Sequence, residues 1–199
     1  ATHMEEFVNA LFWIDEYKNS LDIDMIESLK GIYNRMGRTR NSMKEGQKKE
    51  GTTVNSMGII TGQEMPTVDI ALFSRLIFLP YFKDKFTQEE NDRLAELQKI
   101  QRPGLSHITA RLLRQRGLVE ENYMYAFNEV QDDLADNLTT AEIDGRILRN
   151  YCSVLTTFKT LEKVLDLPFD YKDLLNVAVD RILSQHRQVA TNDELSQFW

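Results

Sequence analysis

The chain has few of the residues that staple a fold or bind a metal. Among its 199 residues there is one cysteine, Cys152, so no internal disulfide forms. The three histidines, His3, His107 and His186, are too scattered to complete a zinc site with it at any recognised spacing. A reducing, cytoplasmic setting is the expectation. No apolar run approaches the roughly 18 residues that a spanning helix needs, so no membrane partner is expected. No signal peptide is expected either: the apolar stretch from Phe7 to Ile14 is short and runs straight into acids. Positive charge is also in deficit. With 24 basic and 31 acidic residues, the net charge of -7 argues against a protein that coats nucleic acid over its whole surface.

What is present describes a globular chain: 42% hydrophobic residues are too many for a disordered tail, and 28% charged residues too many for a membrane protein. The acidic average conceals one basic stretch. From Lys30 to Lys49 come Lys30, Arg35, Arg38, Arg40, Lys44, Lys48 and Lys49, against Glu45 alone. Such a stretch is either a solvated loop or a polyanion contact.

Ala1, Thr2 and His3, ahead of Met4, are set aside as cloning residue. Residues 4–82 mix strand and helix signals, whereas 87–199 are helical in pattern, so the expected class is α+β and mainly helical, a partial α/β core followed by an all-helical domain. Leu11-Phe12-Trp13-Ile14 reads as a buried strand with Asp15 and Glu16 emerging at its end. Ser20 is placed to cap a helix carrying Ile23, Ile26, Leu29, Ile32 and Tyr33 on one face, with Gly37 where it should stop. The segment 38–53 is a loop or a hairpin tip. Met57-Gly58-Ile59-Ile60 is a second buried strand, Asp69 stands near the start of a short helix, and Leu76 to Leu79 form a third apolar run closed by Pro80. Helices are expected near 88–101, 105–116, 120–136, 140–165, 171–189 and 192–198. Thr87 with Glu90, Thr139 with Glu142 and Thr191 with Glu194 form capping-box patterns.

Four apolar residues followed by two acids is the pattern by which P-loop ATPases place carboxylates at a nucleotide. The first acid holds Mg²⁺ through water, and the second polarises the attacking water. Structural acids at a strand edge produce the same pattern. About 45 residues on, the second strand ends in Thr61, Gly62 and Gln63, and Ser74-Arg75 precedes the third apolar run. The order of acid pair, polar sensor and arginine is that of ring-forming P-loop ATPases. The alternatives are that Gln63 caps the turn before Pro66 and that Arg75 pairs with Asp69 or Glu64 on the surface.

Phe12-Trp13-Ile14-Asp15-Glu16-Tyr17, Tyr33-Asn34-Arg35 with Gly37-Arg38, Gly58 to Thr67, and Ala71-Leu72-Phe73-Ser74-Arg75 together resemble the C-terminal half of helicase-like P-loop ATPases. These are encoded beside or fused to primases in phages and mobile elements, and are themselves similar to ring-forming replicative helicases. The resemblance covers about a third of the chain. It implies Asp15 as the metal acid, Glu16 as the water-activating acid, Thr61 or Gln63 as the nucleotide sensor and Arg75 as an arginine finger. Arg146 and Arg149 resemble lid arginines. ATP and Mg²⁺ are implied by the resemblance alone. A homo-oligomeric ring is implied for a full-length protein, and the basic stretch, with Arg38, Arg40, Lys44, Lys48 and Lys49, would touch single-stranded DNA non-specifically.

The sequence departs from that family in one respect. A phosphate-binding loop needs G-x-x-x-x-G-K-S/T. Gly46 to Thr53 has the glycine spacing but Thr52 where the lysine belongs, follows the acids instead of preceding them, and has no strand before it. The chain is therefore expected to hold the second half of an ATPase site and, alone, to bind neither ATP nor Mg²⁺ tightly and to hydrolyse nothing. The other reading is a non-enzymatic helical interaction or DNA-binding module in which the acids are structural. Cys152, flanked at helical spacing by Ile147, Tyr151 and Leu155, reads as a packing residue, as do Tyr123, Tyr125, Phe127, Phe198 and Trp199.

Overall fold

The computed structural model describes residues 11–40, 50–81, 85–138 and 142–196, with backbone alone at 37–40, 50–52 and 192–196. The fold is mainly helical, with seven helices and a two-stranded parallel sheet among the described residues. Two compact units divide the chain. The first takes the residues up to Ile77 with Asp144–Ile147 and the stretch from Ser184; the second takes Phe78–Ile143 and Leu148–Leu183.

In the first unit, β1 (Leu11–Tyr17) and β4 (Met57–Gly62) run parallel, with Leu11 opposite Met57 and Ile14 opposite Ile60. Between them come α1 (Ile23–Tyr33) and an antiparallel hairpin of β2 (Met36–Arg40) and β3 (Glu50–Thr53). Of the segment 38–53, expected as a loop or a hairpin tip, residues 38–40 and 50–53 are paired strand, and 41–49 lie outside the described residues. Strand alternation divides the sheet's faces. Ile14 and Ile60 pack with Ile26 and Leu29 of α1, Tyr17 and Leu72. On the other face Leu11, Trp13, Met57 and Ile59 are exposed, Trp13 by 67%. Parallel strands are normally covered on both faces. The expected fully buried strands are half-buried here because nothing among the described residues covers that outer face.

Helix α1 is capped by Asp22, whose Oδ1 accepts the Met25 N–H at 2.8 Å, and not by Ser20. It ends before Gly37 because Arg35 adopts φ 55°, a left-handed turn closed by its N–H on the Ile32 carbonyl at 2.9 Å. Gly37 falls in β2. The short α2 (Ile70–Phe73) is capped as expected by Asp69, which accepts the Leu72 N–H at 2.7 Å. Lys30 holds the other Asp69 oxygen at 3.0 Å.

In the second unit, α3 (Gln88–Gln101) follows the Thr87–Glu90 capping box and α4 is Ser106–Leu113. Neither helix buries a residue. α5 (Arg116–Asn137) takes Gly117 into its first turn, where an Arg116–Glu120 pair at 2.6 Å supports it, and buries Ala126, Val130 and Leu134. α6 (Gly145–Leu161) begins after Glu142, so the Thr139–Glu142 box is not its start; Thr139 lies outside the described residues. α7 (Tyr171–Ser196) is one helix where two were expected: Thr191 donates its hydroxyl back to the Arg187 carbonyl at 2.8 Å instead of capping a new start. Cys152 is buried as expected, its thiol 3.9 Å from the Phe127 carbonyl, and burial pushes its pKa up. Tyr125 is 68% exposed and not a core residue, while Tyr123 stacks on Phe127. Phe198 and Trp199 lie outside the described residues.

Asp133 gathers this unit's polar contacts, accepting from Lys159 at 2.9 Å and from the Tyr171 hydroxyl at 2.8 Å. Burial alone would raise its carboxyl, but these two bonds outweigh it and hold the pKa below the ordinary value. A depressed carboxyl contributes stability above the unfolded pKa of about 3.9 and loses it as pH falls through the folded value. Asp133→Asn should therefore cost roughly 1 kcal/mol at neutral pH, below the ~1.5–3 kcal/mol of a bond to a charged group because the side chain is 38% exposed. That cost should shrink as pH drops below about 4. Urea midpoints measured across pH check it; a cost independent of pH would contradict the linkage.

Candidate functional site

The acids sit where β1 loses register with β4. Ile14 pairs with Ile60 and Tyr17 with Gly62, so Asp15 and Glu16 together oppose Thr61 alone. This is a β-bulge, a device that re-aims side chains at strand ends. Glu16 takes φ 60°, a conformation that costs an L-residue roughly 1 kcal/mol or more. The bulge lets Tyr17 turn into the core while both carboxylates stay exposed. Gly62 completes it: a Cβ there would come within 2.6 Å of the Tyr17 carbonyl oxygen.

A short hydrogen-bond chain joins the two strands. The Trp13 Nε1–H donates to Thr61 Oγ1 at 2.9 Å, and the Thr61 hydroxyl donates to Asp15 Oδ1 at 2.6 Å. The Glu16 N–H donates to the same oxygen at 2.9 Å. These bonds, Thr61's first, hold the Asp15 carboxyl below its ordinary pKa and keep it ionised. All three side chains share the outer face. The turn after β1 is tied to the end of β4, where Glu64 Oε2 accepts the Asn19 N–H at 2.6 Å.

The structure thus brings together Asp15, Glu16 and Thr61 of the residues singled out. Gln63 lies just past β4, exposed and without a hydrogen bond among the described residues, so it does not cap the turn at Pro66. Arg75 is elsewhere, half-buried, with its guanidinium 5.6 Å over the Tyr33 ring and donating to the Ala71 carbonyl. It pairs with neither Asp69 nor Glu64, whose oxygens go to Lys30 and Asn19. Arg146 is exposed in the first turn of α6 and belongs to the acids' unit without a bond to them; Arg149, also exposed, belongs to the other unit. Arg38 and Arg40 lie on β2, one arm of the hairpin, while Lys44, Lys48 and Lys49 lie outside the described residues.

Among the described residues no group of three or more His, Cys, Asp or Glu side chains is placed to hold a metal ion. The donor set that does exist, an ionised exposed carboxylate steadied by a hydroxyl, suits Mg²⁺ held largely through water. No helix among the described residues is long and apolar enough to cross a membrane. Trp13 is the site residue that motif reasoning missed. Its position two residues before Asp15, on the same face of one strand, is a signal that could have found it. No family model matches this chain, and no curated protein matches it significantly.

Proposed function

We propose that this chain is the C-terminal part of a helicase-like, DNA-dependent P-loop ATPase of the primase-associated phage or mobile-element type, silent alone because it carries no phosphate loop. The observation that supports this most is the bond from Thr61 on one parallel strand to Asp15 at the bulged end of its neighbour. A sensor and a metal acid are required side by side. In this reading Asp15 orients the water shell of Mg²⁺, and the metal supplies charge neutralisation at the phosphates. Glu16 takes the proton from the attacking water, and Thr61 both reads the γ-phosphate and fixes Asp15. Arg75, Arg146 and Arg149 are then arginines that a neighbouring subunit of a ring, or a closing lid, brings to phosphate. The outer face of β1 and β4, which nothing among the described residues covers, fits a sheet that adds further elements in the complete ATPase.

The test is ATP hydrolysis by the chain alone and after mixing with a polypeptide that supplies a strand and a G-x-x-x-x-G-K-S/T loop. The expected result is no turnover alone and Mg²⁺-dependent turnover in the mixture. Turnover by the chain alone, abolished by Glu16→Gln, would show that the chain needs no second half. For the basic stretch, neutralising Lys44, Lys48 and Lys49 should weaken single-stranded DNA binding and flatten its salt dependence by about two in log-log slope. An unchanged, salt-insensitive affinity would remove DNA from the reading.

One observation favours a second reading, a non-enzymatic interaction module. Helices α3 and α4 expose Leu94, Leu97, Ile100, Ile108 and Leu112, an apolar surface of the kind that partners cover.

A further inference from the structure

The first unit contains a cleft of about 710 Å³ at the end of the sheet where β1 and β4 begin, within the size range of small-molecule sites. Its walls are of mixed polarity, the apolar part coming from Phe12, Leu29, Ile32 and Leu72 among others. Gly58 shapes it: a Cβ there would meet the Phe12 ring at 2.5 Å, so glycine lets the ring lie across β4. Two arginines line this space, Arg35 and Arg75, and none of the fifteen lining residues is acidic. In a chain of net charge -7 that is a concentration of positive charge with no acidic partner among the described residues.

Arg75 is held by its side chain, and Arg35 by its backbone, its side chain being exposed. The left-handed turn at Arg35 is closed on both sides, its N–H on the Ile32 carbonyl and its own carbonyl accepting the Val54 N–H at 3.2 Å. Arg75 is braced by the Tyr33 ring and the Ala71 carbonyl, yet its Nε–H is buried with no hydrogen-bond partner. A buried, unpaired donor on a charged group carries a free-energy cost. Neither arginine has a carboxylate partner among the described residues.

We propose that this cleft binds a small organic anion, its phosphate or carboxylate head taken by Arg75 and Arg35 and its short apolar body laid against Phe12, Leu29, Ile32 and Leu72. The inference does not rest on the nucleotide reading. The cleft lies where the strands begin and the acids where they end, so binding here requires neither Mg²⁺ nor a phosphate loop.

Calorimetric titration of the full chain with hexyl phosphate, hexanoate, inorganic phosphate and hexanol tests it. Saturable binding of hexyl phosphate or hexanoate is expected, the tighter of the two identifying the head group, with hexanol and inorganic phosphate each weaker by about tenfold or more. Arg75→Gln should weaken the preferred anion by roughly tenfold, about 1.4 kcal/mol, and Arg75→Lys by less. Arg35→Asn removes the second charge with a residue that tolerates the left-handed backbone, and should also weaken binding. It decides the matter if Arg75→Gln fails to fold by circular dichroism. Hexanol binding as tightly as hexyl phosphate, no saturable binding of either anion, or unchanged affinity in folded arginine variants would each overturn the proposal.

Discussion

Glu16→Gln is expected to lower ATP turnover by roughly 10²- to 10⁴-fold in an assembly that adds a phosphate loop to this chain, with the KM for ATP little changed. Glutamine has the shape of glutamate and keeps the backbone at φ 60°, so what it removes is the ability to accept a proton. The split between kcat and KM follows from the proposed function, in which Glu16 acts on water and nucleotide contacts come from elsewhere. Glu16→Gly is the informative companion. It relieves a left-handed conformation unfavourable for an L-residue, so folded stability should rise by up to about 1 kcal/mol while turnover is lost. Stability gained as activity disappears is the mark of a residue kept for function. Full turnover in Glu16→Gln would remove it from the chemistry. A loss of stability in Glu16→Gly would mean that the side chain itself supports the bulge.

Phe73→Ala is expected to cost about 3–5 kcal/mol, a large part of the 5–15 kcal/mol typical of a folded domain. Phe73 is fully buried, the largest such side chain among the described residues, and follows the buried Leu72 in a four-residue helix that has little stability of its own. Its backbone carries a second role. The Phe73 carbonyl accepts the Gln185 Nε2–H at 2.8 Å, and Leu76's accepts the same nitrogen at 3.0 Å, so this buried glutamine ties the end of α2 to α7. Removing the ring opens a cavity beside those bonds. Urea denaturation should show a markedly lower midpoint for Phe73→Ala and a smaller loss for Phe73→Leu, which retains most of the volume. Equal, small losses below about 1 kcal/mol would mean that the ring is not what α2 is anchored by.

Local signals in the sequence survive folding where their partners are local. The Thr87–Glu90 box starts α3 and Asp69 caps α2, because a cap needs only the next three amides. Signals that depend on what comes next fare worse. Thr191 does not start a helix, because a continuing backbone ladder outcompetes a single side-chain bond. Leu11 and Trp13 were legible as strand residues but not as exposed ones, since burial depends on whether another layer covers the face.

The same division runs through the candidate site. The residues by themselves determined that two acids end an apolar strand, that a threonine ends a second and that no phosphate loop accompanies them. Pairing of those strands in parallel, with a bulge that sets Asp15 and Glu16 against Thr61, was decided only in three dimensions, because register is fixed by side-chain packing between residues 46 positions apart in the chain. Tertiary structure also decided the surroundings of Arg75. In sequence it follows the acids as an arginine finger would; in space it stands over Tyr33 in a cleft at the other end of the strands, where an apolar wall and a second arginine surround it.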